Sequence, residues 1–220
     1  MYQPPHFVET RRDVLHGLIR AHPLGLLISS GADGPVADPL PFLLDPDAGE
    51  HGRLRAHLAR ANPHWRLIDD RAPAPVLIVF QGADSYITPS WYETKRETGK
   101  VVPTWNYATV QVRGHARTVD DKDWLARQIS DLTVAQEGAR TDPWHVTDAP
   151  DAFISAQLKG IIGIEIEILG IEGKWKVSQN RPAADRVGVA TGLDAQSVGG
   201  VGSSMADLVR EHGGPARTPD

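Results

Sequence analysis

Four isoleucines at every second position, Ile162, Ile164, Ile166 and Ile168, alternate with Gly163, Glu165, Glu167 and Leu169. That period of two predicts a strand with one buried face, and it places Glu165 and Glu167 on the outward, solvated side. A weaker copy runs from Arg53 to Leu58, where Leu54, Ala56 and Leu58 alternate with Arg53, Arg55 and His57. Val76 to Phe80 is instead a continuous apolar run, which suits a strand covered on both faces. Helical spacing appears from Thr10 to His22: Thr10 with Asp13 resembles a capping box, Val14, Leu15, Leu18 and Ile19 share a face, and Pro23 closes the element. Leu24 to Ser30 and Val36 to Leu44 flank the turn residues Gly31 to Gly34 and predict a hairpin, with Pro39 and Pro41 marking an edge-like strand. Asn62-Pro63 is a cap and first position for a short helix through Ile68. Asp120 is read as the cap of a helix through Glu137, with Leu125, Ile129 and Leu132 inward. Further short helices are expected over Pro150 to Lys159, after Pro182, and from Ser203 to His212.

Six or seven short, mostly sequential strands with helices between them describe a mainly β (α+β) fold, a small closed or split barrel with peripheral helices, better than a doubly wound sheet. The expected organisation is one barrel domain over residues 1–191, followed over 192–220 by a glycine-rich linker, a short helix and a loose tail.

Composition narrows the chemistry. The chain of 220 residues has no cysteine, which excludes disulfides, thiolate nucleophiles and thiolate metal sites. It has no apolar run long enough to span a bilayer, and its start, with Pro4, Pro5 and His6, lacks the basic and apolar regions of a secretory signal, so a cytoplasmic location is expected. A formal net charge of −5 works against phosphate backbones, and the basic pairs Arg11-Arg12 and Lys95-Arg96 form no stripe. No helix places basic residues at groove-reading positions, so direct DNA binding is disfavoured. The nine histidines include no pair at i, i+4, and neither a phosphate-loop pattern nor a Gly-x-Ser-x-Gly elbow is present, so no metal site is expected and no catalytic residue is nominated.

Three stretches remain as candidate binding chemistry. Arg53, Arg55, His57 and Arg60 can offer cations to a phosphate from one strand face, or form a merely solvated basic face. Trp91, Tyr92, Trp105 and Tyr107 supply flat amphipathic surface for a planar ligand or for packing, and the neighbouring Ser90, Thr104 and Asn106 bring polar groups that need partners. Lys176, Ser178, Gln179, Asn180 and Arg181 make a donor-rich strand exit, in which Asn180 can equally cap the helix opened by Pro182.

Several motifs, in order along the chain, resemble one family. They are Met1 to Phe7, Ala59-Arg60-Ala61-Asn62-Pro63-His64-Trp65, Phe80-Gln81-Gly82, Tyr86 to Tyr92, Val102 to Tyr107 and Gly173 to Arg181. This chain is similar to the PaiB-like FMN-binding negative transcriptional regulators. Asp38-Pro39 departs from the pattern, since many members carry histidine there; Val177 in the Lys-Val-Ser-Gln-Asn run is a conservative departure. The resemblance implies an FMN-binding split barrel of the pyridoxamine-phosphate-oxidase type, a homodimer with clefts between subunits, and FMN, less often haem, as the ligand. It implies a regulator acting by ligand sensing or indirectly, the alternative being a flavin-dependent oxidoreductase or haem-handling enzyme of the same fold. The implied cofactor-binding set is Arg55, His57, Arg60, Asn62, Ser90, Trp91, Tyr92, Thr104, Trp105, Asn106, Lys176, Ser178, Gln179, Asn180 and Arg181.

Overall fold

The computed structural model describes residues 1–68, 74–196 and 204–212. Residues 197–203 of the linker expected from Gly192 onward, and the tail over 213–220, lie outside the described residues. In chain order the elements are β1 (Val8–Glu9), α1 (Arg12–Ala21), β2 (Leu24–Gly31), β3 (Gly34–Pro41), β4 (Leu43–Asp45), β5 (Arg53–Ala59), β6 (Ala74–Ile87), α2 (Glu93–Thr98), β7 (Thr104–Val119), α3 (Lys122–Glu137), α4 (Asp151–Lys159), β8 (Ile161–Lys176), α5 (Ala183–Gln196) and α6 (Ser204–Glu211). The fold is mainly β with helices, as the alternation predicts. One eight-stranded sheet has the order β3-β2-β6-β7-β8-β5-β4, with β1 added beside β8. The pairings of β2 with β3 and β6, of β4 with β5, and of β8 with β5 and β1 are antiparallel.

The chain divides into two compact units. One comprises Met1–Arg11, Gln81–Val110 and Glu172–Asp220; the other comprises Arg12–Phe80 and Gln111–Ile171.

In the second unit the predicted hairpin forms with Gly31 opposite Gly34. Ile162, Ile164, Ile166 and Ile168 are all buried, together with Leu54, Ala56 and Leu58 across the ladder. Phe42 and Phe80 meet edge to face at 5.7 Å. Gly25 is required beside them, because a Cβ there would lie 2.6 Å from the Phe80 ring.

Four local readings change. Glu165 is buried rather than solvated: α3 covers that face of the sheet, with Trp124 packed where a Cβ on Gly163 would stand, and Glu165 accepts from Arg117 at 2.6 and 3.0 Å and faces Arg53 at 3.5 Å. The cap of α3 is Asp121, which accepts from the Trp124 amide at 2.7 Å, while Asp120 pairs with Arg60. The Val76 to Phe80 run belongs to a longer strand, and within the run side chains alternate between buried and half-buried, so only one of its faces is fully covered. Gly192 lies within α5 rather than in a linker, because it closes a helix contact described below.

The first unit buries Phe7, Ile87, Tyr92, Ala108, Val110, Trp175 and Val177, with Val189, Ala190 and Leu193 of α5 and Met205, Ala206 and Val209 of α6. Among the described residues no helix is long and apolar enough to cross a membrane.

Candidate functional site

The end of β8 turns sharply at Ser178, the only non-glycine among the described residues with positive φ, at 66°. L residues adopt that region at a cost unless their surroundings hold them there. The hold is visible: Ser178 is buried, the Asn106 amide donates to its Oγ at 2.9 Å, and Gln179 folds back to accept from the Val177 amide at 2.8 Å while donating to the Trp175 carbonyl. This turn sends Asn180 and Arg181 back alongside the start of β7. Arg181 stacks over the Tyr92 ring at 4.6 Å.

A cavity of about 120 Å³ opens between these segments, lined by Tyr92, Val102, Pro103, Thr104, Asn106, Lys176, Ser178, Asn180 and Arg181. Lys176 donates to the Thr104 hydroxyl and the Trp105 carbonyl, and both Lys174 and Lys176 sit over Tyr107, at 5.3 and 6.0 Å. Burial, reinforced by the charges of Lys174 and Arg181, pushes the Lys176 ammonium below the ordinary lysine range. Burial pushes the Tyr92 hydroxyl up, against the charge and the close approach of the Arg181 guanidinium. That hydroxyl, on a side chain only 1% exposed, has no partner of hydrogen-bond geometry.

A concentration of cation charge beside an unsatisfied buried hydroxyl is the environment an oxyanion relieves. The donor set therefore fits the phosphate of a flavin mononucleotide. At about 120 Å³ the cavity is smaller than a whole ligand pocket and matches one end of a ligand.

Of the residues expected at a site, Tyr92, Thr104, Asn106, Lys176, Ser178, Asn180 and Arg181 line this cavity. Trp105 is 55% exposed and meets Tyr86 edge to face at 6.0 Å. Ser90 is exposed and accepts from Lys95 at 3.3 Å. Trp91 packs on α5, and Gln179 serves the turn. The remaining four belong to the second unit and have protein partners. Arg55 forks onto Asp45 at 2.7 and 2.9 Å and reaches Asp131 of α3 at 2.9 Å. His57 Nδ1 lies 2.7 Å from Gln128 Oε1, and Asn62 caps its turn by accepting from the His64 amide at 2.9 Å. Arg60 donates to Asp120 and to the Lys159 carbonyl, and lines a second cavity of about 320 Å³ with Lys122, Leu125, Ser155, Leu158 and Lys159.

Sequence reasoning passed over Asp185 and Gly188 and read Gly192 as the start of a linker; all three lie on α5 against the Trp91 to Thr94 segment. An acid in the first turn of a helix and glycines in a helix read as ordinary, and only burial distinguishes them. It also passed over the contact of His64 with Asp38 at 2.7 Å and with Ser29 at 2.9 Å, because the three residues lie on separate elements.

A family model described as "Putative FMN-binding domain" matches residues 1–169. An uncharacterized protein of Emericella nidulans is 35% identical, the alignment covering 97% of this chain and 98% of that one. The protease synthase and sporulation protein PAI 2 of Bacillus subtilis is 29% identical over 96% of this chain and 97% of its own length. Among solved structures, the flavocytochrome Anf3 of Azotobacter vinelandii superposes with a TM-score of 0.54 at 13% identity, covering 77% of this chain and 69% of that one. The FAD and heme binding protein of Mycobacterium smegmatis gives 0.54 at 17% identity, over 77% and 73%. Those two structural likenesses establish the fold alone, a split barrel of the flavin-binding, pyridoxamine-phosphate-oxidase type. Family membership rests on the sequence match, which spans most of the length: the chain belongs to the PaiB-like FMN-binding family.

Proposed function

We propose that this chain is a flavin-responsive negative regulator of transcription, which binds FMN as a homodimer and acts on its targets indirectly. The observation that carries the FMN reading is the convergence of Lys176 and Arg181 on one cavity that the Tyr92 ring also lines. In a chain of net charge −5, that local surplus of cations selects an anionic group, and Lys176, Arg181, Tyr92 and Asn180 would hold the phosphate. Bound FMN supplies a redox-active planar ring; the protein's part is to hold and orient it.

The homodimer is supported by the outer face of β2, β3 and β6. Leu24, Leu26 and Ile28 stand opposite Pro41, Pro39 and Ala37 on one side and, for the last two, opposite Val79 and Leu77 on the other. This face carries no charge, and Leu24 and Leu26 are exposed. Such a face is compatible with a second copy of itself. Pro35, Pro39 and Pro41 deprive the edge strand β3 of donors, which favours face-to-face packing over strand addition.

Indirect action is supported by α1, whose Arg12, His16 and Arg20 share a helical face. Arg12 donates to the Pro46 carbonyl and His16 is buried against the His51 carbonyl at 3.1 Å, so two of these three residues are engaged with their own fold. The similarity to the protease synthase and sporulation protein PAI 2 accords with a regulatory role.

Titration with FMN and with riboflavin, read by flavin fluorescence, tests the reading. FMN is expected to bind at least about tenfold tighter, the value of one charge-assisted contact. Equal affinities, or none, would overturn it, and turnover of a reduced nicotinamide would identify an oxidoreductase instead.

A further inference from the structure

We infer that Asp185 of α5 is a positioning residue for the ligand cavity, acting through Thr94 and the Trp91-Tyr92 segment without touching the ligand; this rests on the FMN reading above. Asp185 is fully buried, 0% exposed. Its carboxylate accepts from the Thr94 amide at 2.9 Å and from the Thr94 hydroxyl at 3.0 Å. The residue at the N-cap position of α2, Tyr92, supplies no side-chain cap. Asp185 fills that role from another helix, because a carboxylate satisfies free amides at a helix start and is favoured by the local dipole.

A second contact fixes the same segment. A Cβ on Gly188 would fall 2.0 Å from the Trp91 carbonyl oxygen, and one on Gly192 2.3 Å from the Trp91 ring. The two glycines form a notch one turn apart on α5 that admits Trp91 against the helix backbone. Tyr92 is thus held between a residue seated in the notch and a residue tied to Asp185. Its ring is the surface on which Arg181 stacks. The wall of the cavity is set from behind by α5.

The conservative change Asp185→Asn keeps an acceptor for the Thr94 amide and gains a donor for its hydroxyl, whereas Asp185→Ala removes both bonds. Three measurements on the full chain separate the outcomes. In ligand-free protein, hydrogen exchange over residues 92–98 is expected to quicken in Asp185→Ala and to stay near wild type in Asp185→Asn. Acylation of Lys176 by a water-soluble amine reagent, read by mass spectrometry, is expected to rise about threefold or more in Asp185→Ala as the wall loosens. FMN affinity is expected to fall about tenfold in Asp185→Ala and to be restored in Asp185→Asn.

Unchanged Lys176 labelling in Asp185→Ala would overturn the inference, as would full FMN affinity despite faster exchange. Wild-type protein that ignores FMN would sink the FMN reading separately, and the labelling arm would still decide whether Asp185 sets the cavity. Should Asp185→Ala not fold, Thr94→Val breaks the hydroxyl bond alone and is expected to raise Lys176 labelling to a smaller extent; no rise in that variant counts against the inference.

Discussion

The Nδ1 of His64 lies 2.7 Å from Oδ2 of Asp38, and its Nε2 lies 2.9 Å from the Ser29 hydroxyl. One buried imidazole thereby ties the turn after β5 to both strands of the β2-β3 hairpin. The bond from His64, aided by Asn62 and opposed by partial burial, holds the Asp38 carboxyl below the usual range. A carboxyl lowered on folding contributes stability above its unfolded value, near 3.9, and loses it as pH falls through the folded value. Asp38→Asn is therefore expected to melt lower than wild type at pH 7, with the gap closing below about pH 4. A gap that stays constant from pH 7 to 3 would show that the carboxylate charge is not involved. His64→Ala, which opens a gap where a fully buried ring stood and leaves the buried Ser29 hydroxyl and the half-buried Asp38 unmatched, is expected to cost about 2 to 4 kcal/mol by denaturant unfolding.

Lys176 has its ammonium depressed by burial and by the neighbouring cations Lys174 and Arg181. Affinity for a phosphate that it contacts should therefore decline as pH rises, beginning below the ordinary lysine value near 10.4. Lys176→Arg, which stays protonated, is expected to remove that alkaline decline, and Lys176→Met to weaken FMN binding by about 1 to 3 kcal/mol at neutral pH. Identical pH profiles for wild type and Lys176→Arg would remove Lys176 from the phosphate contact.

Arg55 is largely buried and serves two carboxylates, Asp45 and Asp131. Truncation removes both pairings, and because the two carboxylates remain open to solvent Arg55→Met is expected to lower stability by only about 1 to 2 kcal/mol. If its work is to dock α3, FMN affinity measured well below the melting temperature will be unchanged. A selective loss of FMN affinity at full stability would instead return Arg55 to the ligand.

Gly192→Ala places a methyl group against the Trp91 ring. Overpacking of this kind is expected to cost about 1 to 3 kcal/mol, and Trp91→Leu in the same chain should recover part of it by making room. A double variant no more stable than Gly192→Ala would show that the ring is not what the methyl meets.

Leu26→Asp puts a charge at the centre of the neutral face of β2, β3 and β6. Sedimentation is expected to show a dimer for wild type and a monomer for the variant. A dimer that survives the change would place the interface elsewhere.

The sequence alone determined the β class and most of the strands and helices, because these follow from local periodicity: the isoleucines at every second position of β8 had to face one way, and Pro23, Pro63 and Pro182 had to sit at element boundaries. It also brought together, by resemblance, the motif residues that come to line the cavity. Periodicity reports only which side of an element a residue occupies. What stands on that side was decided in three dimensions: α3 lies over the second face of β8 and turns Glu165 from a solvated residue into a buried partner of Arg117, and the same helix takes up Arg55 and His57. Likewise Asp185, 91 positions along the chain from Thr94, has no local signature, since a buried carboxylate is recognisable only once the donors that justify its burial have been folded against it.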